Sequence, residues 1–533
     1  MLLKAQHPTI IVGAGMAGLA AGIALAAKGE PVTILEARGY PGGKMRQIMP
    51  GQQRQNGAVA YGAEGSEHPA IQGIDSGPTV FTMKWVFERL FALCGTSPET
   101  ELNLTKASTL ARHAWDGLKG ANGHAHFDLF ADEQASIASV GDFFGAADAA
   151  GFARFCTDSR AIYTTLRETF IAAQRPSPIA LANRVGWTNL SALLALRPMS
   201  TLWSALGDYF PDPRLRQLFG RYATYVGSSP YQAPATLMLI AHVEQDGVWT
   251  IDGGMHALAR AMQRLALSKG ATIRLDSPVA SVETIDGKAG AVTLDNGERI
   301  NAGRILWCGD ISALRDSLSD NQGRKNHRRF PPVPEKHRSL SAITWSAKAK
   351  TSGFALDHHN VFFSPNYRAE FDSIFRDRET PADPTVYLCA QDRRSDGSGV
   401  SGINQDTGER MLCLTNAPAF GDRRTLSQKE LATCQNAMIA RLSACGLTVE
   451  LEPSQTVITQ PSTFNTLFPG SGGALYGRAS HGWMASFARP GAKTAVPGLY
   501  LAGGSVHPGP GVPMATLSGM LAAQQILADR VST

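Results

Sequence analysis

Thr9-Ile10-Ile11-Val12-Gly13-Ala14-Gly15-Met16-Ala17-Gly18, an Ala/Leu-rich stretch to Lys28-Gly29, and Val32-Thr33-Ile34-Leu35-Glu36 together decide the fold. The apolar run before the glycines predicts a buried parallel strand, and Ala17 to Ala27 predicts the crossover helix of a βαβ unit. Gly13 permits the tight turn, Gly15 lets backbone approach a pyrophosphate, and Gly18 allows close helix–strand packing. The helix start, at Met16 and Ala17, offers free N–H groups to phosphate charge. Glu36 stands at the spacing of the acid that grips a ribose hydroxyl, a charge-assisted bond contributing about 1.5–3 kcal/mol. The same acid disfavours a 2′-phosphate, so NADP is not expected here. Gly-x-Gly-x-x-Gly alone is a weak signal. Strand, helix, second strand and terminal acid in order make it specific for a dinucleotide.

The chain continues Ala37-Arg38-Gly39-Tyr40-Pro41-Gly42-Gly43-Lys44-Met45-Arg46. Pro-Gly-Gly is also an ordinary turn signal, but its position after Glu36 offers backbone N–H groups and basic charge to a second phosphate. This continuation resembles the extended FAD fingerprint of the amine oxidase and phytoene desaturase superfamily, which implies FAD rather than NAD.

At 533 residues the chain exceeds what one hydrophobic core usually supports, so two domains are expected. A net charge of +5, with no basic stripe carrying interleaved aromatics, gives nucleic-acid binding little support. Seven scattered cysteines, never in Cys-x-x-Cys spacing, fit buried thiols in a reducing compartment and point to no metal site. His358-His359 reads as an exposed loop pair without a partner. No run reaches the ~18 apolar residues of a spanning helix, and the apolar stretch from Leu19 lies inside the dinucleotide unit. The protein is expected in the cytoplasm.

Outward from the first unit, a helix is predicted from about Lys84 to Leu93, and residues 139–225 read as mainly helical. Val248-Trp249-Thr250-Ile251 leads to a helix (His256 to Lys269), a strand (Thr272 to Leu275), a hairpin turning at Asp295-Asn296-Gly297 and the apolar run from Ile305 to Cys308. A further helix is expected near 427–445. The polar stretches 319–329 and 392–410 read as solvated loops.

The closing segment, Leu499-Tyr500-Leu501-Ala502-Gly503-Gly504-Ser505-Val506-His507-Pro508-Gly509-Pro510-Gly511-Val512-Pro513-Met514-Ala515, is a strand entering a Gly-Gly turn and then a helix. Such a helix start turns N–H groups and a positive dipole end toward negative charge. With Asp75-Ser76-Gly77-Pro78-Thr79-Val80 and Tyr225-Val226-Gly227-Ser228-Ser229-Pro230-Tyr231-Gln232-Ala233-Pro234, it resembles the bacterial carotenoid desaturases of the phytoene desaturase type. Within them it is most similar to the hydroxyneurosporene and methoxyneurosporene desaturases, that is, 1-hydroxycarotenoid 3,4-desaturases.

The resemblance implies an α/β fold: a Rossmann-like FAD-binding domain (1–85, 248–312 and 462–533) with an inserted mixed α+β substrate-binding, membrane-facing domain (86–247 and 313–461). It assigns FAD to Gly13, Gly15, Met16, Ala17, Gly18, Glu36, Ala37, Gly43, Lys44, Arg46, Gly77, Pro78, Thr79, Val279, Gly503, Gly504, Ser505, Pro513, Met514 and Ala515. Relatives often carry an acid at the position of Ser505. The implied reaction removes two hydrogens across a C–C bond of an acyclic carotenoid, in this branch the 3,4 bond beside a hydroxylated end. The polyene stabilises the intermediate cation, so no strong side-chain base is required, and the cofactor carries the hard chemistry. A multistep phytoene desaturase is the nearest rival, and a flavin amine oxidase or an FAD-stabilised carotenoid carrier the more distant ones. An amine oxidase needs an aromatic cage, and no aromatic pair stands in 503–515.

At ~0.8 kcal/mol per buried CH₂, a carotenoid cannot cross water, so peripheral association with the inner membrane is expected. Trp187 to Phe210, with Leu190, Leu193, Leu194, Leu196, Met199, Leu202, Trp203 and Leu206, is the candidate docking surface against the plainer reading of core helices. His507 is the one candidate for proton work, and its Pro and Gly neighbours suggest a shaping role instead. Glu244 and Asp246 are acids that either line the substrate channel or form a surface pair. Only one dinucleotide fingerprint is present, so oxygen or a quinone is expected to take the electrons rather than NAD(P).

Overall fold

The computed structural model describes residues 7–50, 73–117, 126–186, 190–320, 330–394 and 408–531. Its organising layer is a five-stranded parallel sheet in the order Leu499–Leu501, Arg304–Trp307, Thr9–Val12, Val32–Leu35, Thr272–Arg274. The first strand sits in the middle, where both faces are covered. Hence its unbroken apolar run, with Ile10 and Ile11 fully buried, rather than an alternation.

On one face lie the helices Met16–Ala26 and Val512–Val531. Every residue of Met16–Ala26 is buried, which its small side chains allow. Gly18 is obligatory there, because a Cβ would fall 1.9 Å from the Gly13 carbonyl oxygen. On the other face a four-stranded sheet (Arg299–Asn301, Lys288–Leu294, Val279–Ile285, Leu318–Asp320) packs Val282, Val292 and Leu294 against Ile10, Val12 and Leu35.

A second, seven-stranded sheet runs in the order Leu447–Thr459, Ser341–Gly353, Glu409–Ala417, Val386–Ala390, His359–Phe362, Thr109–Ala114, Phe127–Phe130. It is antiparallel except where His359–Phe362 runs parallel to Thr109–Ala114. Helix Gln428–Ala444, with a Ser427/Glu430 capping box, follows it as expected. The described residues of 133–246 are mainly helical, with helices such as Ala146–Leu166, Pro213–Gly220 and Leu239–Asp246. One hydrophobic core joins them to the first helix, with Phe152, Phe155 and Phe219 stacked inside it.

Three expectations are corrected. The polar stretch from Ser319 begins inside a strand, with Leu318 and Ser319 buried, while 321–329 lie outside the described residues. The ends of the stretch 392–410 are also built. Arg393 pairs with Glu409 at 2.8 Å, and Arg410 pairs with Asp392 at 2.6 Å, because two paired strands bring these residues together; 395–407 lie outside the described residues. In the proposed docking segment, Leu202, Leu206 and Phe210 are fully buried, so their spacing reflects core packing. Trp187 lies outside the described residues. Among the described residues no helix is long and apolar enough to cross a membrane.

Candidate cofactor and substrate site

The loops that follow four of the parallel strands gather at one edge of the sheet: Gly13 to Gly15, Glu36 to Arg38, Cys308 to Asp310, and Gly503 to Ser505. That edge, at the strand C-termini, is where open α/β sheets bind ligands. Glu36 accepts hydrogen bonds from the Ala14 N–H (2.7 Å) and the Arg38 N–H (3.1 Å), and burial raises its carboxyl above the usual range. Helix Met16–Ala26 starts at Gly15 with no side-chain cap. A Cβ at Gly15 would meet nothing nearer than the Gly43 Cα at 4.0 Å. An uncapped helix N-terminus beneath space that the chain leaves open fits the pyrophosphate of a dinucleotide.

Gly43 faces Gly15 because the Gly42 N–H donates to the Ala14 carbonyl (2.9 Å). The Ser76–Gly77–Pro78 turn lies on Lys44 and Met45; a Cβ at Gly77 would sit 1.9 Å from the Lys44 carbonyl oxygen. Lys44 donates to the Leu475 carbonyl, and burial pulls its ammonium down to about 8, against the attraction of Asp310. Arg46 is buried and donates to Thr459 Oγ1 at 2.9 Å, so this cation braces the seven-stranded sheet. Val279 opens its strand and packs on the cluster that contains Leu35.

At the other terminal motif, the Gly503 N–H donates to Ser518 Oγ (3.1 Å) and Ser505 Oγ donates to Asp310 Oδ2 (2.8 Å). Buried Arg489 holds this turn through the Tyr476 (3.1 Å), Arg478 (2.7 Å) and Gly504 (2.9 Å) carbonyls. Val512, Pro513 and Met514, the start of the last helix, line a cavity of about 590 Å³. His507 is buried beside that cavity rather than in its lining. Its Nε2 meets the Phe170 (3.0 Å) and Ala173 (2.9 Å) carbonyls, and burial lowers its pKa to about 4. It anchors a loop.

The cavity extends from Lys44, Gly77 and Thr79 to Leu181, Leu193, Leu196 and Trp483, and its walls are mostly apolar. Trp483 at the latter end is 47 % exposed, and Ile179, Leu194 and Met199, next in the chain to the lining residues Pro178, Leu193 and Pro198, are 68, 66 and 83 % exposed. Glu244 lines the cavity instead of the surface. It is buried and accepts from the Tyr222 and Tyr225 hydroxyls, both at 2.7 Å, and burial raises its carboxyl. Asp246, two residues on, is not among the lining residues.

His358 and His359 are also corrected. His359 is buried in a strand, and with His358 and Cys389 it forms a set of potential metal ligands within 4.8 Å of one another. Their Nδ1 atoms meet the Arg393 carbonyl (2.6 Å) and the Tyr387 hydroxyl (2.8 Å), His358 Nε2 lies 3.6 Å from Cys389 Sγ, and the buried His359 Nε2 has no hydrogen-bond partner among the described residues. Burial lowers the pKa of both imidazoles; at His359 the neighbouring His358 and Arg221 add to it, while at His358 the Arg393 carbonyl and Asp392 oppose it and Arg410 adds to it. Asp310, Arg489, Arg221 and Tyr387 escaped sequence reading. Only Asp310 carried a signal, as an acid placed just after a predicted parallel strand.

Residues 16–527 match the family of flavin containing amine oxidoreductases, and the chain belongs to it. It is 45% identical over 527 residues to a hydroxyneurosporene desaturase of Rubrivivax gelatinosus, covering 99% of this chain and 94% of that protein. Identity to the hydroxyneurosporene desaturase of Cereibacter sphaeroides is 42%, over 98% of both chains. Among solved structures, a putrescine oxidase bound to putrescine superposes with a TM-score of 0.53 at 16% identity, over 99% of each chain. That likeness concerns the fold.

Proposed function

We propose that the protein is an FAD-dependent carotenoid desaturase that oxidises the 3,4 bond of an acyclic, 1-hydroxylated carotenoid resembling hydroxyneurosporene. The observation that carries this reading is the mostly apolar cavity, which reaches from the glycine turns and the last helix's N-terminus to the half-exposed Trp483 and to Pro178, Leu193 and Pro198, whose chain neighbours Ile179, Leu194 and Met199 are exposed. A water-soluble amine would need polar or aromatic-cage recognition along that path, whereas a polyene needs only apolar walls.

FAD held here would supply the acceptor for the hydride leaving the allylic carbon, the neighbouring carbon losing its hydrogen as a proton. The chain supplies the rest. Gly13, Gly15 and Gly43 leave room for the pyrophosphate, Glu36 addresses the ribose, and Lys44, Gly77 and the Gly503–Ser505 turn frame the flavin end. The segments 1–85, 248–312 and 462–533 form the cofactor half of this reading, and 86–247 and 313–461 the substrate half. The apolar walls orient the chain and exclude water, which protects a cationic polyene from capture.

The rim residues Ile179, Leu194 and Met199 rest on the membrane and let substrate pass from bilayer to cavity without crossing water. Electrons leave to oxygen or a quinone. The deciding experiment incubates the flavin-loaded protein with liposomes holding hydroxyneurosporene and follows the red shift that one added conjugated double bond produces. Absence of any shift, with turnover of a soluble amine instead, would overturn the reading.

A further inference from the structure

We propose that Arg221, backed by Tyr225 and Glu244, recognises the oxygen of the substrate's hydroxylated end and thereby selects which carbon–carbon bond is oxidised; this rests on the function proposed above. The cavity's walls are mostly apolar, yet Arg221 lines it, with Glu244 close behind. Its guanidinium lies between the Tyr225 and Tyr387 rings, at 5.2 and 5.9 Å from their centres. One arm donates to the Tyr225 hydroxyl at 3.1 Å, and the buried Nε has no partner. The Tyr225 hydroxyl donates to Glu244 Oε1 and the Tyr222 hydroxyl to Oε2, both at 2.7 Å. The carboxyl, each oxygen accepting one tyrosine hydroxyl, stands one hydroxyl removed from the cation.

A guanidinium lining an apolar cavity is costly there unless whatever fills the cavity brings an acceptor. Arginine can only donate. A hydrocarbon end group offers nothing to it, while a hydroxyl oxygen does. The location agrees with the chemistry. Tyr387, which stacks under Arg221, bonds Thr79 at 2.7 Å, next to the Gly77 turn, so the cation stands at the cofactor end of the cavity and away from the rim. In a 1-hydroxy carotenoid the oxygen is three bonds from C3. Holding the oxygen therefore places the 3,4 bond, and a chain without oxygen is left to slide.

The test compares hydroxyneurosporene with 1,2-dihydroneurosporene, the same saturated end group without the hydroxyl, in identical liposomes, using flavin-loaded wild type, Arg221→Met, Arg221→Lys and Tyr225→Phe. A site built around a substrate hydroxyl rejects the analogue lacking it by about a hundredfold or more in kcat/KM. Arg221→Met should shrink that ratio about ten- to a hundredfold, with Arg221→Lys restoring part of it. Tyr225→Phe, which removes one oxygen, should shrink it about fivefold through loosened aim of the guanidinium. A ratio within about twofold of wild type in Arg221→Met at full flavin occupancy overturns the proposal. Should that variant fail to hold flavin, the ratio in Tyr225→Phe decides in the same way. Wild-type protein that turns over neither carotenoid defeats the functional reading itself, whereas normal wild-type turnover with an unmoved ratio defeats only the role of Arg221.

Discussion

Ser505 donates a 2.8 Å hydrogen bond to Asp310 Oδ2, tying together the loops that follow two neighbouring strands of the parallel sheet. Asp310 also caps the helix Ile311–Ser317, accepting the Ser312 N–H through its other oxygen at 2.9 Å. The terminal Gly-Gly motif carries a serine at 505, and a carboxylate from the adjacent loop reaches it.

Because that place already holds one carboxylate, Ser505→Asp sets two like charges within hydrogen-bond distance and should lower flavin retention, whereas Ser505→Ala should cost little. Asp310→Ala should both weaken flavin and remove a helix cap worth about 1 kcal/mol. The flavin-to-protein absorbance ratio after desalting, with a melting curve for each variant, checks this. Retention in Ser505→Asp equal to wild type would sink it.

Gly15→Val and Gly18→Val should fail in different ways. At Gly15 the chain leaves a new side chain room, so the protein should fold and lose flavin; at Gly18 a Cβ lands 1.9 Å from the Gly13 oxygen, so folding itself should suffer. Glu36→Ala should fold and bind FAD about ten- to a hundredfold more weakly. Soluble, fully flavin-loaded Gly15→Val protein would remove the pyrophosphate from this turn.

Liposome sedimentation separates rim from core. Leu194→Glu with Met199→Glu changes side chains that are 66 and 83 % exposed, and should lower membrane partitioning at least about tenfold with flavin content intact. Leu202→Ser, at a position with no exposure, should instead destabilise the fold by about 2–5 kcal/mol. Undiminished sedimentation of the folded double variant would show that the membrane lies elsewhere.

Glu370 supplies a pH-dependent prediction. It is buried, accepts from Asn416 Nδ2 (3.0 Å) and the Thr385 N–H (3.1 Å), and burial pushes its carboxyl from 4.5 up to about 7. The folded state therefore keeps a proton that the unfolded chain releases, and stability falls as pH rises from about 4.5 to about 7. Glu370→Gln cannot ionise, and Asn416 can turn its amide to match it. The variant should be more stable than wild type at pH 8, by at most about 3 kcal/mol, and equal to it near pH 4. An offset that does not change with pH would count against the buried carboxyl as its cause.

Sequence alone determined the parallel βαβ start, the family and the flavin, because each is written in contiguous residues whose backbone roles are local: an apolar strand, glycines where no Cβ fits, an acid at the next strand's end. It also ordered the helices and strands, since hydrophobic period is a local property. What it left undecided depends on partners far along the chain. Leu202 and Leu194 look alike in sequence, and only packing put one in the core and the other on the rim. His358-His359 looked like loop because its burial comes from pairing with the strand that carries Cys389. Arg221 carried no motif at all. Its meaning arises from Tyr387, 166 positions away, and from a cavity whose walls several separate segments build, and no local pattern records which charge ends up inside an apolar space.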